Sequence, residues 1–188
     1  MSTASYIFRN SKDLMSRCEE HKMPIWEVML RYEMQLSNKD KNHVYEMLKG
    51  RLKVIFDGID ATINKPEMSP SGMAGKSAPS LVKALKNFKE WEPKLLLNET
   101  AVKAMLGAVA TGENNARMGV ILAFPTAGAA GVLPGVMFAA RDRFGLTDDQ
   151  LVQMMLTASA IGIIIANTAT LSGAAGGCQA EVGTATAM

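Results

Sequence analysis

A single cysteine near the end of the chain is the residue whose chemistry stands out. Cys178 lies in the segment Ser172-Gly-Ala-Ala-Gly-Gly-Cys-Gln-Ala-Glu-Val-Gly183, among small residues and far from the second cysteine, Cys18. The two glycines before Cys178 predict a turn into a helix, where the positive end of the helix dipole favours a thiolate. A thiolate binds metals or acts as a nucleophile, but the residues alone leave an inert buried thiol equally open.

Both functional interpretations of Cys178 need groups that its neighbourhood lacks. A nucleophilic cysteine needs a base, and the two histidines, His21 and His43, lie in charged N-terminal segments where we expect them to face solvent. One thiolate cannot hold a zinc ion or an iron–sulfur cluster without further ligands. We therefore expect the site of Cys178 to be completed by residues elsewhere.

A second candidate site lies in the segment 64–79. It contains three prolines, two glycines and three serines, so it is predicted to be a loop or linker. Gly75-Lys76-Ser77 resembles the end of a nucleotide-binding P-loop, but Pro70 stands where that motif needs its first glycine. The hydroxyls and amides of Ser69-Pro-Ser-Gly72 are instead suited to holding a carboxylate.

The elements that position these residues are predicted to be helices. Apolar residues recur at helical spacing, as in the stripe formed by Val28, Met29, Tyr32 and Leu36. N-capping residues predict further helix starts at Ser11, Ser80 and Asn98, and Thr147-Asp-Asp-Gln150 is a capping box. We expect an all-α, multi-helix fold in which Gly/Ala-rich loops form a pocket around an apolar central helix.

Composition divides the chain. Charges are dense to about Asn98, whereas Ala, Gly, Thr and Ser dominate from Ala101 onward. The predicted organisation is an N-terminal helical segment over residues 1–63, the loop or linker over 64–79, and an incomplete helical catalytic domain over 80–188.

The stretch from Gln150 to Ala180 carries no charge. Because about 20 apolar residues span a bilayer, a membrane helix is one interpretation. The polar residues Thr157, Ser159 and Asn167 interrupt the run, so a helix buried inside the protein is favoured.

The small residues also have two interpretations. Gly128-Ala-Ala-Gly131 and Gly173-Ala-Ala-Gly-Gly177 either let helices pack closely or expose backbone amides to a ligand. Composition alone favours neither.

Bulk properties exclude some partner classes. The formal net charge of +2 is too small to indicate a nucleic-acid surface or an anionic membrane partner. The residues near Met1 do not show the charged start and apolar run of a secretory leader, so secretion is not expected, and the two distant cysteines predict no disulfide framework. A cytoplasmic location is expected.

Three segments carry a resemblance to a known family. They are Asn115-Ala-Arg-Met-Gly119, Pro125-Thr-Ala-Gly-Ala-Ala-Gly-Val-Leu-Pro-Gly135, and the run from Ala166 through Cys178 to Gly183. Together they closely resemble the α chain of the bacterial iron–sulfur-dependent L-serine dehydratases, over roughly residues 68–188 and more weakly before them. This is a lyase family of amino-acid degradation and gluconeogenesis.

The resemblance implies a [4Fe–4S] cluster held by three cysteines, with an open iron that acts as a Lewis acid on the serine hydroxyl. Cys178 matches the first ligand. The family's other two cysteines would follow some tens of residues after Met188, so the resemblance implies an α chain truncated at its C-terminus, without a cluster of its own and inactive alone.

The resemblance also implies a divided active site. The β chain supplies the base, a histidine, and elimination of water from L-serine gives pyruvate and ammonia in a homo- or hetero-oligomer. Many relatives have a Gly-Gly-Asp-like sequence after the loop that carries Ser69 and Ser71, whereas this chain has Gly75-Lys76-Ser77. Lys76 either pairs with the substrate carboxylate or faces solvent, and we favour the second interpretation. By matching position, the implied substrate-binding residues are Ser69, Ser71, Gly72, Asn115, Thr126 and Asn167.

Two other classes remain open from the sequence. The chain can be a non-catalytic helical module, a degenerate or truncated α chain that binds its partner without catalysing a reaction. It can also be a small helical membrane protein.

Overall fold

The structure, a computed structural model, describes residues 5–91 and 96–188. Within these ranges the chain forms helices and no strand, which confirms the predicted all-α fold. The helices are α1 (Ser11–His21), α2 (Ile25–Ser37), α3 (Lys41–Asn64), α4 (Ser77–Lys86), α5 (Phe88–Trp91), α6 (Glu99–Ala116), α7 (Val132–Phe144), α8 (Asp148–Thr168), α9 (Gly173–Gly176) and α10 (Cys178–Ala187).

Contacts group the chain into two compact units. The first unit joins both ends of the chain, Met1–Gly50 and Asp148–Met188, and the second unit is the continuous segment Arg51–Thr147. The boundary at Gly50 lies inside α3. The domains predicted from the sequence, 1–63, 64–79 and 80–188, are contiguous stretches, whereas the units are defined by contacts. The domain boundaries therefore stay a prediction.

The core of the first unit is built by α2 and α8, which pack against each other. Val28 of α2 and both Leu151 and Val152 of α8 are fully buried. Among the described residues, α8 is the helix long and apolar enough to cross a membrane, with a mean hydropathy of 1.6. A core helix of a soluble protein can have the same length and composition, so these two properties do not distinguish a membrane helix from a core helix.

The second unit is centred on α6, which packs against both α7 and α4. A Cβ at Gly107 would lie 2.9 Å from the Cα of Gly135, so the helices approach closely because both residues lack side chains. Lys103 of α6 also forms an ion pair with Asp142 of α7. Partial burial raises the pKa of the Asp142 carboxyl, but hydrogen bonds from Lys103 and Arg141 outweigh it and leave that pKa below its usual value.

Several helix starts are where the sequence predicts them. The Asn98 side chain accepts a hydrogen bond from the Ala101 amide at 2.9 Å, and α8 begins directly after Thr147. The cap of α1 is Asn10 rather than Ser11, since the Asn10 side chain accepts from the Asp13 amide. Both Asn and Ser can cap a helix, and here the bond is made by Asn10.

The prediction for α4 was wrong in position. The helix begins at Ser77, three residues before the cap expected at Ser80. Ser80 lies inside the helix, where its hydroxyl donates to the Lys76 carbonyl. An acceptor from another helix, described below, caps α4 in place of a local side chain.

Two other features differ from expectation. Leu36, assigned to the packing stripe of α2, is 58% exposed because it lies at the end of that helix. Helix α7 was not predicted, since Pro134 and Gly135 are residue types typical of loops. Proline is tolerated in the first turn of a helix, where its missing amide costs nothing, and this is where Pro134 lies.

Candidate functional site

The loop that carries Ser69, Ser71 and Gly72 is closed by its own hydrogen bonds. The Ser69 amide donates to the Ala74 carbonyl at 2.8 Å, and the Ser69 hydroxyl accepts from the Ala74 amide at 3.1 Å. The Ser69 and Ser71 hydroxyl oxygens lie 3.0 Å apart. Ser69 is 4% exposed, whereas Ser71 and Gly72 are exposed. The three residues implied by the resemblance are therefore neighbours in a fixed turn.

Glycines shape this turn. Gly72 has φ +73° and Gly75 has φ +122°, backbone conformations that other residues rarely adopt. A Cβ at Gly75 would also collide with the carbonyl oxygen of Glu67. Lys76, which follows the turn, is exposed, as the sequence led us to favour.

Both ends of the loop are attached to the C-terminal end of α6, one by Glu113 within the helix and the other by Arg117 at its C-cap. At the start of the loop, Arg117 donates to the Lys65 carbonyl at 3.0 Å and to the Thr62 hydroxyl at 2.6 Å. At the end of the loop, Glu113 Oε1 accepts from the Ser77 amide at 2.8 Å. One helix thus holds the loop from both sides.

Glu113 is the side chain that caps α4. Its Oε1 also lies 3.4 Å from the Ala78 amide, and Lys76 at the N-cap position makes no side-chain cap hydrogen bond. Glu113 is 5% exposed. Its other carboxylate oxygen, Oε2, is buried without a hydrogen-bond partner among the described residues.

A cleft of about 370 Å³ lies on another face of the same part of α6. It runs between that helix and the small-residue segment before α7, and Asn115 lines it. Thr126 directly precedes the lining residue Ala127, and its hydroxyl oxygen is buried without a partner in the described part of the chain. The lining residues are Ala108, Val109, Thr111, Gly112, Asn115, Ile121 and 127–132.

The structure supports one of the two interpretations of the small residues at 128–131, close packing, whereas a ligand at their backbone amides stays a prediction. A Cβ at Gly131 would lie 2.6 Å from the Ala108 carbonyl oxygen, so Gly131 permits close packing. A Cβ at Gly112, by contrast, would have no atom within 4 Å. Gly112 therefore leaves space in the cleft rather than contact between helices.

Cys178 and Asn167 lie in the first unit. Cys178 is exposed and is the first residue of α10, after Gly177 with φ +73°, as the two glycines predicted. The thiol is therefore exposed rather than buried among the described residues, and its role stays a prediction. Asn167 is exposed in the last turn of α8, where its side-chain amide donates to the Arg9 carbonyl at 3.2 Å.

The histidines also lie in the first unit. His43 is exposed, as expected. The expectation that His21 faces solvent was wrong, because its ring lies 4.7 Å from that of Tyr6 and its Nε2 is buried without a partner among the described residues. The Tyr6 ring covers His21 although the two residues are 15 positions apart.

Comparison with known proteins identifies the chain's family. A family model described as "Serine dehydratase alpha chain" matches residues 20–188. The chain belongs to the serine dehydratase α-chain family. The match reaches further toward the N-terminus than the resemblance seen in the motifs alone.

Individual relatives carry corresponding names. The "Probable L-serine dehydratase, alpha chain" of Bacillus subtilis is 38% identical over 97% of this chain and 59% of the relative. The "L-serine dehydratase, alpha chain" of Peptoniphilus asaccharolyticus is 29% identical over 97% of this chain and 61% of its own length. The "L-serine dehydratase 2" of Escherichia coli is 30% identical over 97% and 40%. The chain thus spans between about two fifths and three fifths of these relatives.

The described residues of this α chain do not fit a complete [4Fe–4S] site. Such a cluster needs several thiolate ligands, and Cys178 supplies one exposed thiol. No group of three or more His, Cys, Asp or Glu side chains that could hold a metal ion occurs within residues 5–91 and 96–188.

Sequence reasoning missed Glu113 and Arg117. Glu113 follows Leu106 by seven residues and Ala110 by three, so it falls on the buried face of α6. A charged residue on a buried face signals a specific partner, since burial of an unpaired charge is costly. That spacing was visible in the sequence, but the partner amides were not.

Proposed function

We propose that this chain forms the α part of an enzyme that eliminates water from L-serine to give pyruvate and ammonia. The observation that carries the proposal is the family match over residues 20–188. The names of the relatives, which are L-serine dehydratases, support the substrate.

In the second unit, the proposed substrate-binding groups are Ser69, Ser71 and Gly72. One of the two adjacent hydroxyls donates to the other, so one hydroxyl proton remains for a carboxylate oxygen of serine. Asn115 in the cleft and the unpartnered Thr126 hydroxyl are further proposed contacts. Hydroxyls and amides suit this role because they orient a substrate without acting as bases.

In the first unit, we assign Cys178 as one ligand of a [4Fe–4S] cluster and Asn167 as a polar substrate contact. The remaining cluster ligands are proposed to come from outside these 188 residues. The base that removes the α-proton is proposed to be a histidine of a β chain. The assembled enzyme is proposed to be a cytoplasmic oligomer.

The test compares two cysteine variants in the assembled enzyme. The full-length polypeptide that contains these residues is purified anaerobically with its β chain, and iron–sulfur absorbance and pyruvate formation from L-serine are measured. Cys178→Ser should abolish both signals, because loss of a thiolate opens the cluster. Cys18→Ser is the matched control, since Cys18 lies half-buried in α1, and it should leave both signals within about twofold.

The isolated 188-residue chain should give neither absorbance nor pyruvate after reconstitution with iron and sulfide. Pyruvate from this chain alone would contradict the divided site. An assembled enzyme that binds the β chain but forms no pyruvate would instead support the non-catalytic partner-binding module.

A further inference from the structure

We propose that Glu113 is a positioning residue that holds the loop of Ser69, Ser71 and Gly72 in the conformation that binds the substrate L-serine. This inference rests on the proposed function of that loop. It assigns a role to a side chain that neither contacts the loop hydroxyls nor lines the cleft.

The first argument is the place of the cap. Many helices are capped locally, by a serine, threonine, asparagine or aspartate at the N-cap position. The chain has Lys76 there, which makes no side-chain cap hydrogen bond, and the acceptor comes from Glu113, 36 residues from Ser77. A local cap would stabilise α4 alone, whereas this distant cap also fixes α4 and the preceding loop against α6.

The second argument is the cost of the arrangement. A buried carboxylate with an unpartnered oxygen is unfavourable, and Glu113 Oε2 is buried without a partner among the described residues. The amide contacts of Oε1 are the interactions that offset this cost, and both are made where the loop enters α4.

The third argument is the geometry of α6. Arg117 holds the start of the loop and Glu113 holds its end. Thr111, Gly112 and Asn115 of the same helical segment line the cleft. Glu113 therefore sets the loop hydroxyls in a fixed relation to the cleft wall.

The experiment has one readout that does not depend on activity. Amide hydrogen exchange at Ser77 and Ala78 is measured in Glu113→Ala, Glu113→Gln and Glu67→Ala. Glu67 is a matched control because it is an exposed carboxylate near the same loop, paired with Lys65. We expect exchange at least about tenfold faster in Glu113→Ala, from loss of a charge-assisted hydrogen bond, and wild-type exchange in Glu67→Ala.

The second readout is the kinetics of serine elimination by the assembled enzyme. Glu113→Ala should raise KM for L-serine about tenfold or more while kcat stays within about threefold, because binding geometry is lost and the reacting groups remain. Glu113→Gln keeps the acceptor oxygen toward Ser77, so its KM should stay within about fivefold of wild type. Circular dichroism confirms that each variant is folded at the assay temperature.

Three results would overturn the inference. They are unchanged exchange in Glu113→Ala, faster exchange with an unchanged KM, and equal losses in Glu113→Gln and Glu113→Ala. If the wild-type enzyme forms no pyruvate, the proposed function fails. In that case L-serine is titrated into the wild type and into Glu113→Ala, and the amide resonances of Ser69 and Ser71 are followed. Shifts in the wild type that are smaller in Glu113→Ala support the inference. No shifts in the wild type, or equal shifts in both proteins, overturn it.

Discussion

At the scale of single residues, the loop around Ser69 depends on backbone conformation as much as on its hydroxyls. Gly75 combines φ +122° with a close approach to the Glu67 carbonyl. The Ser69 hydroxyl accepts from Ala74, the residue before Gly75. The conformation at Gly75 is therefore part of what places the two serine hydroxyls together.

Gly75→Ala should destabilise the protein. The added Cβ meets the Glu67 carbonyl and the residue is forced into a region that alanine avoids, at a cost of about 1–3 kcal/mol. Urea unfolding followed by circular dichroism measures the change in the free energy of unfolding.

Gly50→Ala is the control for this substitution. Gly50 lies inside α3, and no atom lies within 4 Å of the position that an added Cβ would take, so alanine should stabilise the helix by about 0.5–1 kcal/mol. Equal stability of the Gly75→Ala variant and the wild type would show that the loop does not need the conformation described here.

At the scale of elements, α6 connects the features of the second unit. It packs against α4 and α7, lines the cleft and, with its C-cap residue, holds both ends of the loop that carries Ser69, Ser71 and Gly72. Its contact with α7 depends on small residues. Sequence analysis located α6 from its cap and its apolar spacing, but it did not find α7, whose small residues became informative only once they were seen against α6.

Gly135→Ala should weaken the packing of α6 on α7. The added Cβ would lie 2.7 Å from the Ala108 amide nitrogen and would meet the Ala104 carbonyl. Overpacking of this kind costs about 1–3 kcal/mol, which urea unfolding detects as a lower midpoint.

Gly112→Ala is the matched substitution within α6. No atom lies within 4 Å of its Cβ position, so stability should rise by about 0.5–1 kcal/mol through helix propensity. If Gly135→Ala were as stable as Gly112→Ala, close packing at Gly135 would not be required.

At the scale of the whole molecule, the two ends of the chain belong to one unit. The buried residues of α2 lie against those of α8, although more than 100 positions separate the helices in sequence. Cys178 follows α8 in this unit, whereas the loop that carries Ser69, Ser71 and Gly72 belongs to the second unit. The charge-based division of the sequence near Asn98 does not reveal this pairing, because composition carries no record of which helices meet.

Removal of the last three helices should affect the first unit selectively. In a chain ending at Thr147, α2 loses α8, the helix against which it packs, so the amides of α1 and α2 should lose protection in hydrogen-exchange mass spectrometry. The amides of α6 and α7 should keep theirs, since these helices pack within the second unit.

A chain ending at Thr168 is the control, because it keeps α8 and removes only α9 and α10. Protection of α2 should persist in this variant. Loss of protection in α6 and α7 in the shorter chain would contradict the grouping of contacts into two units.

The sequence by itself determined the all-α class, the starts of helices such as α6 and α8, the turn before Cys178 and the family resemblance. These depend on caps, turn residues and spacing that act over a few positions. Only the tertiary structure decided that Glu113 caps α4, that His21 lies under Tyr6, and that α2 meets α8. Contacts between distant residues follow from how whole helices pack, and no short stretch of sequence contains that information.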